Sequence, residues 1–577
     1  MIKKNKSVRM TLAHINDTHS YFEPQALQLQ LNVGDKAISP YVSNGGFARI
    51  ATRIKQLKVT AAQQQRDFLF AHAGDCFQGT LFFSLFKGEA NSDMLNALGI
   101  DVMAIGNHEL DMGEKPVADF LDRIQFPLLA GNWDLSNESI TKSYCLKGRT
   151  NLFAYQTQTK TAQWITHTID GEPVAIFGLS LDKMADIANI DPETPFRNSL
   201  TTAKNTVQAI RQLGINKIIL ISHHGFDIDC ELAKKVDGIS LIVGGHSHTL
   251  QGDFSHLGLN KAPEYGYQVN GTYIVQAGCH SQALGHCEID FSADGRISRF
   301  NGKNELLIGR RLCIDTDLLT THNDQIHQQV MSYLKQHENI LVCKKDPQIQ
   351  KLLLDKYIPR VRELQNTIIA KLDNDIRHIR IPDHQGGSDV APLVAESFAY
   401  MMKKNNHHVD FAIHNAGGVR TSLPSGNVSV ADIAGKLLPF AVPIGTYPIK
   451  GKYIAQALEG AINNAINNGV LGTGSGSYPY TYNLNFNYFA EYPIGKRITD
   501  LTIFQQGSGW IAIDDEKIYY GSSSAYTMKG KEGYEALRMM EGDGFITQFS
   551  MADCFIDFIQ THPDKLTITP SKARLLG

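Results

Sequence analysis

Eight polar residues whose side chains can bind metal ions or move protons each follow a short apolar segment of the chain. Carboxylate, amide and imidazole groups all occur among them. Apolar runs of this length are typical of buried strands, and the strands of an α/β sheet place their chemistry along one edge, so we expect these residues to gather there. In chain order they are Asp17, His19, Asp75, Asn107, His108, His223, His246 and His248.

The apolar segments, and the amphipathic stretches between them, predict a layered α/β domain over residues 1–312. The predicted strands are Val8–Leu12, Asp67–Ala71, Val102–Ile105, Lys217–Ile221 and Leu241–Val243. The predicted helices are Gly46–Leu57, Ala90–Leu98, Lys115–Ile124 and Leu200–Leu213. Gly99 and Gly214 follow two of these helices and are expected to cap them.

The rest of the chain divides into a connector and a second domain. Polar helical sequence dominates residues 313–368, where Asp346 is a plausible cap and Pro347 a first helical residue. Pro359 predicts a kink or break in this connecting helix. Residues 369–577 again combine strand and helix patterns, and they predict a smaller α/β domain.

Composition narrows the classes of partner. The 55 basic and 58 acidic residues give a net charge of −3, so no overall charge favours a nucleic acid polymer or a membrane. Eight cysteines occur without a C-x-x-C pair, which argues against a structural zinc site or a disulfide framework. No secretory h-region follows the basic N-terminus, and no apolar run is long enough to span a membrane. We expect a soluble cytoplasmic protein, or a periplasmic one if a leader has been removed from this chain.

The spacing of the metal-ligand residues suits a pair of divalent ions. Asp17 and His19 are two apart on an extended segment, so they face the same way and can chelate one ion; His246 and His248 share this spacing. Asp75 lies in a glycine-containing loop, and its carboxylate can bridge two ions roughly 3.5–4 Å apart. Mixed nitrogen and oxygen donors favour Mn, Zn, Co or Fe over calcium.

Asn107 would add an oxygen ligand and His223 a nitrogen ligand. Such a site polarises a phosphoryl group and lowers the pKa of a bound water, which becomes a nucleophile near neutral pH. His108 is expected to face the substrate, with Asp111 about one helical turn further on to orient the imidazole and favour its cationic form. A cationic His108 would stabilise charge on the phosphoryl oxygens or protonate the leaving oxygen.

Other polar residues near these strand ends are expected to be structural. A lone histidine or asparagine is more often hydrogen-bonded within a fold than bound to a metal, and His72, His224 and Asn132 are interpreted in this way. Cys76 follows Asp75 directly and is interpreted as a small apolar filler beside the site.

The ordered motifs resemble those of the calcineurin-like metallophosphoesterases. D-x-H, G-D-x-x-x-G, G-N-H-E, a lone histidine and G-H-x-H occur in this order. The segments Gly45–Arg49 and Gly106–Asp111 make the resemblance more specific. Through them the chain is similar to the two-domain 5′-nucleotidases, which include bacterial UDP-sugar hydrolases and ecto-5′-nucleotidases. The resemblance extends over nearly the whole chain. It implies a four-layer α/β/β/α domain that binds two metal ions, joined by a helical linker to a smaller α/β domain.

The resemblance also implies roles for individual residues. One ion would be held by Asp17, His19, Asp75 and His248, and the other by Asp75, Asn107, His223 and His246. His108 and Asp111 would form the catalytic dyad. In the family the C-terminal domain rotates to carry substrate onto the metals, and the helix around Asp346–Thr367 is where we expect such a hinge.

A loop in the second domain has the features of an anion site. It follows the predicted strand Val409–Ile413, and its backbone amides and guanidinium could hold a charged group. The loop residues are Asn415, Gly417, Gly418 and Arg420. The resemblance implies that the asparagine and the arginine contact the nucleotide.

Two further segments resemble the nucleotide-binding parts of the family. Leu438-Pro439-Phe440 resembles a segment whose phenylalanine stacks on the base, an interaction worth roughly 1–3 kcal/mol. Gly542–Phe545 resembles a loop whose aspartate, here Asp543, binds the ribose hydroxyls.

Other segments depart from the family pattern. Ala441-Val442 stands where the family has Gly-Asn, which removes a polar contact to the base. Leu537 occupies the position of the second stacking aromatic, and Tyr534 is the nearest aromatic residue. The arginine-bearing segment is also altered, with Arg377 and Arg380 as candidates for phosphate contacts. We therefore predict intact phosphoryl chemistry with altered base recognition.

These features predict a dinuclear metal-dependent phosphohydrolase that converts nucleoside 5′-monophosphates to nucleoside and phosphate. Water would be the direct nucleophile, without a covalent intermediate. Two alternatives use the same metals: a 2′,3′-cyclic nucleotide phosphodiesterase and a UDP-sugar pyrophosphatase. A non-catalytic nucleotide-binding protein is a more distant alternative. In such a protein we would expect substitutions at the metal-ligand positions, and none of these positions is substituted here.

Overall fold

The structure is a computed structural model that describes residues 6–34, 36–314, 323–542 and 544–566. The chain divides into two compact units. The first contains the residues up to 78 together with residues 86–358, and the second contains residues 79–85 together with the residues after 358.

The larger sheet of the first unit has ten strands within the described residues. Val8–Ile15, Asp67–His72 and Val102–Ala104 are parallel neighbours, so their carboxyl ends lie at the same edge. From side to side the sheet contains Gln25–Gln28, Tyr41–Asn44, Ile297–Cys313, Ala283–Phe291, Val8–Ile15, Asp67–His72, Val102–Ala104, Leu128–Leu129 and Leu152–Phe153, with Ile340–Val342 also paired to Ile297–Cys313.

A second sheet of the same unit has six strands in the described part of the chain. Glu172–Ser180, Lys217–His223 and Leu241–Val243 are parallel neighbours, and their carboxyl ends also share an edge. The order across the sheet is Trp164–Ile169, Glu172–Ser180, Lys217–His223, Leu241–Val243, Thr272–Val275 and Tyr267–Val269.

The two sheets pack against each other through one apolar core. Leu12, Leu69 and Val102 of the first sheet share this core with Ile219 and Val243 of the second. Burial of apolar surface is the main favourable contribution to folding. The core therefore fixes both sheets, and with them the loops at their strand ends.

Helices cover the outer faces of these sheets. In Phe47–Gln63, the buried residues Ile50, Ile54 and Leu57 recur every three or four positions, so one side of the helix packs on the first sheet. Helices Glu89–Leu98 and Glu114–Leu121 lie in the same layer, whereas Ser199–Gln212 and Phe226–Lys235 cover the second sheet. The α/β/β/α order implied by the resemblance is confirmed.

The predicted glycine caps are present. Gly99 ends Glu89–Leu98 with a φ of 72°, and Gly214 has a φ of 78° just beyond Ser199–Gln212. Only glycine adopts such angles without strain.

The smaller elements of this unit are the strand pairs Leu31–Val33 with Lys36–Ile38 and Tyr155–Gln156 with Thr161–Ala162, the helices Met184–Ile187 and Asn323–Gln336, and the 3-10 turns His108–Leu110 and Ser255–Leu257.

The segment predicted as a connector begins as part of the first unit, because Ile340–Val342 joins the larger sheet. The Asp346 side chain then accepts hydrogen bonds from the backbone N–H groups of Gln348 and Ile349. Helix Pro347–Leu352 continues through the π-helical turn Leu353–Tyr357 into Ile358–Asn366. The π turn ends two residues before Pro359, whose missing N–H disrupts α-helical bonding. The predicted irregularity is thus a π turn.

The second unit is built on a five-stranded sheet within the described residues. Phe411–Asn415 lies inside this sheet, between an antiparallel and a parallel neighbour. The order is Pro479–Tyr482, Phe411–Asn415, Ile518–Ser524, Pro443–Lys450 and Phe545–Ser550. The longer helices are Val390–Lys404, Gly451–Ile466 and Met551–Thr561.

Smaller elements complete the second unit. Residues 430–437 form the short helix Val430–Asp432 followed by the π turn Ile433–Leu437. The remaining elements are the three-stranded sheet Leu484–Tyr488, Ile498–Gln505 and Gly509–Ala512, the strand pair Ile368–Leu372 with Gly426–Ser429, the helices Leu81–Phe86 and Ala525–Met528, and the 3-10 turns Ala416–Gly418, Ser475–Ser477, Glu535–Met539 and Pro563–Leu566. Among the residues described, no helix has the length and apolar character needed to cross a membrane.

Candidate metal centre

The predicted metal ligands lie in loops that directly follow the parallel strands of the first unit. The loops are hydrogen-bonded to one another: the backbone N–H of Asp17 donates to the carbonyl of Gly74 at 2.9 Å, and that of His19 donates to the carbonyl of Asp75 at 3.1 Å. The strand ends therefore bring residues distant in sequence to one place, as the motif series predicts.

Several of the predicted ligand residues have a backbone conformation that residues with side chains disfavour. This left-handed conformation costs about 1–2 kcal/mol per non-glycine residue. Residues with positive φ are Asp17 at 48°, His19 at 46°, Asp75 at 60°, His246 at 71° and His248 at 56°. Such strain is concentrated in functional loops.

One group of ligand atoms belongs to Asp17, His19 and His248. The Nε2 atom of His248 lies 3.3 Å from Oδ1 of Asp17 and 3.3 Å from Nε2 of His19. Asp17 and His19 are buried, whereas His248 is more exposed. This set offers one carboxylate oxygen and two imidazole nitrogens around a common point.

A second group belongs to Asp75, His223 and His246. Oδ2 of Asp75 lies 3.1 Å from Nε2 of His223 and 4.0 Å from Nε2 of His19, so it faces both groups. Oδ1 of Asn107 lies 3.0 Å from Nδ1 of His246. The Asp75 carboxylate is therefore placed between the two ligand sets.

Backbone carbonyls fix the orientation of two of these imidazoles. Nδ1 of His223 lies 2.7 Å from the carbonyl oxygen of Ala73, and Nδ1 of His19 lies 3.0 Å from that of Phe77. A carbonyl only accepts, so each Nδ1 carries the proton and each Nε2 presents a lone pair in the neutral ring. Metal-binding histidines are typically held in this way. The donor set thus fits two divalent ions with nitrogen and oxygen ligands.

The two carboxylates make the site strongly attractive to positive charge. Burial alone would lower the pKa of His223, but the nearby Asp75 carboxylate raises it to about 9. Burial likewise opposes protonation of His248, and its hydrogen bond to Asp17 raises the pKa to about 10. For His246, burial and then the neighbouring His223 outweigh the opposing effect of Asp75 and Asp17, and its pKa is lowered to about 4.

His108 and Asp111 form a separate pair at the edge of this site. The 3-10 turn His108–Leu110 brings Nδ1 of His108 to 2.7 Å from Oδ2 of Asp111. The backbone N–H of His108 donates to Oδ1 of Asp75 at 2.9 Å. Burial opposes a charge on the ring, but Asp111 and Asp75 raise its pKa to about 10. The geometry favours a cationic imidazole beside the ligand sets.

Glu109 has a structural role that was not predicted from the sequence. Its buried carboxylate accepts from the backbone N–H groups of four residues in two neighbouring loops. The donors are Asp75 at 3.0 Å, Cys76 at 2.6 Å, Phe77 at 3.1 Å and Gly106 at 2.7 Å. Glu109 is the last residue of the G-N-H-E motif, but the spacing of the motif does not indicate that the Glu109 carboxylate connects these loops by hydrogen bonds.

Asn16 also supports the site without having been predicted. Its Nδ2 donates to Oδ2 of Asp17 and to the carbonyl of Gly278, both at 2.6 Å, and its Oδ1 accepts from the N–H of Ala277 at 2.8 Å. An asparagine before D-x-H is the only sequence signal for this role.

The residues interpreted as structural are bonded within the fold. His72 contacts Thr18 Oγ1 at 3.0 Å, and Asn132 exchanges two hydrogen bonds with the backbone of Ser180. His224 lies 2.8 Å from Ser222 Oγ through its Nδ1. Cys76 is buried, and burial raises the pKa of its thiol well above the ordinary value. A neutral thiol agrees with the role of apolar filler.

The predicted anion loop of the second unit follows the strand Phe411–Asn415 and begins with the 3-10 turn Ala416–Gly418. The Asn415 Oδ1 accepts a hydrogen bond of 3.3 Å from Thr527 Oγ1. Gly418 packs against a buried histidine, since a Cβ at this position would lie 2.4 Å from Cε1 of His414. Arg420 Nη1 donates to the carbonyl of Gly417 at 3.2 Å. Asn415, Gly417, Gly418 and Arg420 are thus brought together.

Arg420 and Phe440 are also in contact. The guanidinium carbon lies 5.4 Å from the ring centroid, within the range of a cation–π interaction. Burial, and then repulsion from Arg380, lower the pKa of Arg420. Arg380 therefore lies near this pair, whereas Arg377 forms an ion pair with Asp383.

The departures from the family pattern have structural explanations. Leu537 is fully buried in the core of the second unit, and Tyr534 is 2% exposed with its hydroxyl donating to the carbonyl of Ser477 at 2.7 Å. Tyr534 therefore offers no open ring face in place of the second aromatic. Asp543, the predicted ribose ligand, lies outside the described residues.

The α/β/β/α fold, with two groups of candidate metal ligands at its strand ends, is that expected of a metallophosphoesterase. In agreement, residues 10–250 match the calcineurin-like phosphoesterase family, and residues 368–539 match the 5′-nucleotidase C-terminal domain. The chain belongs to the family of 5′-nucleotidases that combine these two domains. It is a phosphoric ester hydrolase of the nucleotide-hydrolysing kind, and its fold implies divalent metal ions.

Three relatives illustrate this membership. The NAD 5′-nucleotidase of Haemophilus influenzae is 29% identical over 601 residues, which cover 99% of this chain and 93% of that protein. The 5′-nucleotidase of Bos taurus is 26% identical over 469 residues, covering 79% and 72%. The crystal structure of a 5′-nucleotidase precursor from Thermus thermophilus has a TM-score of 0.65 at 27% identity, and 96% of each chain is covered.

Proposed function

We propose that this protein hydrolyses nucleoside 5′-monophosphates with two divalent metal ions. The observation that carries the proposal is the position of Asp75, whose Oδ2 faces the Asp17–His19–His248 set on one side and the His223–His246 set on the other. A shared carboxylate is the usual means of holding two metals roughly 3.5–4 Å apart.

The chain's own residues define how the ions would be held. One set is Asp17, His19, Asp75 and His248, and the other is Asp75, Asn107, His223 and His246. Bound there, the ions would polarise the phosphoryl group and provide a water nucleophile of lowered pKa. The carbonyls of Ala73 and Phe77 keep His223 and His19 in the tautomer that this requires. Mn, Zn, Co and Fe all suit these donors.

His108 acts on the substrate in this proposal. Its Nδ1 is engaged by Asp111, so Nε2 carries the proton that can be given to the leaving oxygen or can stabilise charge on the phosphoryl oxygens. Asp111 orients the ring and favours its cationic form. Because water attacks directly, no serine or cysteine nucleophile is needed.

The second unit supplies nucleotide recognition. Arg420 and Arg380 would hold the charged groups of the nucleotide, with Asn415 and the amides of Gly417 and Gly418 adding hydrogen bonds. Phe440 would stack on the base. Arg377 is a weaker candidate for a phosphate contact, because its guanidinium is already paired with Asp383.

NAD is a second candidate substrate. The specific observation in its favour is the relative named NAD 5′-nucleotidase, which matches 99% of this chain, together with a solved structure of Haemophilus influenzae NAD nucleotidase that is 29% identical at a TM-score of 0.62. The same metals would act on a pyrophosphate, as they would on a UDP-sugar or a 2′,3′-cyclic nucleotide.

A substrate panel tests the proposal. Product release from AMP, UMP, NAD, UDP-glucose, a 2′,3′-cyclic nucleotide and an aryl phosphate is measured with Mn²⁺ and with a chelator. We expect metal-dependent release of phosphate from the monophosphates, and loss of the preference for them in Arg420→Ala but not in Arg377→Ala. Turnover of the aryl phosphate alone would contradict the nucleotide assignment while leaving the metal site intact.

A further inference from the structure

Cys279 and His280 lie beside the metal centre but belong to neither ligand set above. Their ligand atoms and one from His248 all lie within 4.8 Å of one another. His248 is thus shared between two groups, the Asp17–His19 group and this one. Both new residues are partly exposed, so solutes can reach them.

The loop that carries Cys279 and His280 is held in place by the first metal loop. The backbone N–H of His280 donates to the carbonyl of Asp17 at 2.8 Å, and Asn16 bonds the backbone on the N-terminal side of Cys279. The Tyr21 ring lies 4.3 Å from that of His280 between centroids, and the His248 ring lies 5.8 Å from it. The three donors are therefore positioned before any ion binds.

The chemistry of these donors differs from that of the main site. A thiolate with two imidazoles is a ligand set typical of zinc, whereas the main site offers carboxylate, amide and imidazole donors that also suit the harder Mn²⁺. Three protein ligands leave a fourth position of a tetrahedral ion open. On binding, the Cys279 thiol would release its proton to solvent and form the sulfur–metal bond as the thiolate.

We propose that His248, Cys279 and His280 form an accessory site for a thiophilic divalent ion of the zinc class. An ion bound there competes with the Asp17–His19 set for His248 and so weakens the binding of the ion held by that set. The accessory site makes Mn²⁺-supported turnover sensitive to zinc-like ions. The competition and its effect on turnover rest on the proposed function, whereas the accessory site itself does not.

Cadmium binding tests the site without reference to activity. The purified protein is titrated with Cd²⁺ while the ultraviolet thiolate-to-cadmium charge-transfer band is recorded. Cys279→Ser is compared with Cys313→Ser, which removes an exposed cysteine outside the site. We expect the band in the wild type and in Cys313→Ser but not in Cys279→Ser, and an affinity at least about tenfold weaker in His280→Ala. An unchanged band in Cys279→Ser would overturn the proposal.

Release of Mn²⁺ tests the competition. Protein loaded with Mn²⁺ is titrated with Zn²⁺, and free Mn²⁺ is followed by electron paramagnetic resonance. Zinc can also replace manganese directly at the main site, so the informative quantity is the difference between variants. The midpoint for release should rise about tenfold or more in Cys279→Ser and His280→Ala and stay at the wild-type value in Cys313→Ser. Equal midpoints in all four proteins would overturn the competition.

Phosphate release measured in the same titrations separates this inference from the proposed function. Inhibition by Zn²⁺ is expressed relative to each protein's own rate with Mn²⁺ alone. The Zn²⁺ concentration at half inhibition should follow the Zn²⁺ concentration at half release of Mn²⁺. If none of the proteins releases phosphate while cadmium and Mn²⁺ behave as expected, the proposed function fails and the accessory site stands.

Discussion

Nδ1 of His108 lies 2.7 Å from Oδ2 of Asp111, three residues further along the chain. A single 3-10 turn creates this contact, so the pair is a local feature of the loop after Val102–Ala104. Because Nδ1 of His108 contacts Asp111, its Nε2 faces away from that carboxylate. Burial would lower the pKa of the imidazole, but Asp111 and Asp75 outweigh this effect and raise the pKa to about 10. The role of this pair in proton transfer is open to direct test.

Replacing His108 with alanine should reduce kcat by roughly 10²–10⁴-fold, the range for a general acid or base. KM should change little, because the nucleotide contacts proposed in the second unit remain. Asp111→Asn should reduce kcat by less, since the imidazole is still present but less well oriented. Steady-state kinetics with AMP and Mn²⁺ measure both constants, and both variants should still bind two metal ions. An unchanged kcat in His108→Ala would remove His108 from the mechanism.

Glu109→Ala should weaken metal binding although Glu109 is not a proposed ligand. The substitution leaves four buried backbone N–H donors without their acceptor, including that of Asp75, and the ligand loops lose their common anchor. Loss of a group that orients ligands typically lowers metal affinity by about 10–100-fold. Mn²⁺ titration by calorimetry measures this affinity. Glu231→Ala, at an exposed position of the same unit, is the control, and equal affinity in the two variants would count against the anchoring role.

Phe440→Leu should raise KM for nucleoside monophosphates. Removing a stacking ring loses roughly 1–3 kcal/mol of binding free energy, which corresponds to about 5–150-fold in KM. The rate with an aryl phosphate, which has no base, should stay the same. Initial-rate measurements with both substrates make the comparison. A proportional loss with both substrates would show instead that the substitution disturbs Arg420, whose guanidinium contacts this ring.

The ion pair between Arg53 and Glu305 should contribute stability that depends on pH. The Nε of Arg53 lies 2.6 Å from the nearly buried Glu305 carboxylate. Burial opposes the charge, but His286 and Arg53 lower the pKa of Glu305 from 4.5 to about 2. Because the folded-state pKa is the lower one, the contribution is fully present above pH 4.5 and is lost as the pH falls from 4.5 towards 2.

Glu305→Gln should therefore lower the free energy of unfolding by up to about 3 kcal/mol at pH 7, and by progressively less below pH 4.5. Urea denaturation at pH 7, 5 and 4 measures the difference from the wild type. Glu231→Gln, which removes an exposed ion pair with Lys234, should show little difference at any of these pH values. A difference between Glu305→Gln and the wild type that grows as the pH falls would contradict this account.

The sequence predicted the fold of the first unit because its strands are buried on both faces and give continuous apolar runs, as in Lys217–His223. It also predicted the order of the metal ligands, since each follows such a run. It did not predict the anchoring by Glu109 or the shared position of His248, because these depend on contacts between residues far apart in the chain. Cys279 and His280 follow Gly278 without a motif that marks them.

The second unit was less predictable from sequence. Its strand Phe411–Asn415 and the loop with Arg420 were recognised, since an apolar run ends in a glycine-rich turn. The π turns at Leu353–Tyr357 and Ile433–Leu437 were not predicted, because side-chain periodicity hardly distinguishes one widened turn from an α-helix. The pairing of Arg377 with Asp383, six residues away, was also not foreseen.

The measurement that tests the central proposal most directly is the metal content of the wild type and of Asp75→Ala. Both proteins are stripped with a chelator, reconstituted with Mn²⁺, freed of excess ion and analysed by atomic absorption. The account predicts two ions per chain in the wild type and none in Asp75→Ala, because Asp75 faces both ligand sets. Asp111→Asn, which alters a carboxylate outside both sets, should retain two. Two ions per chain in Asp75→Ala would contradict the shared carboxylate and the mechanism built on it.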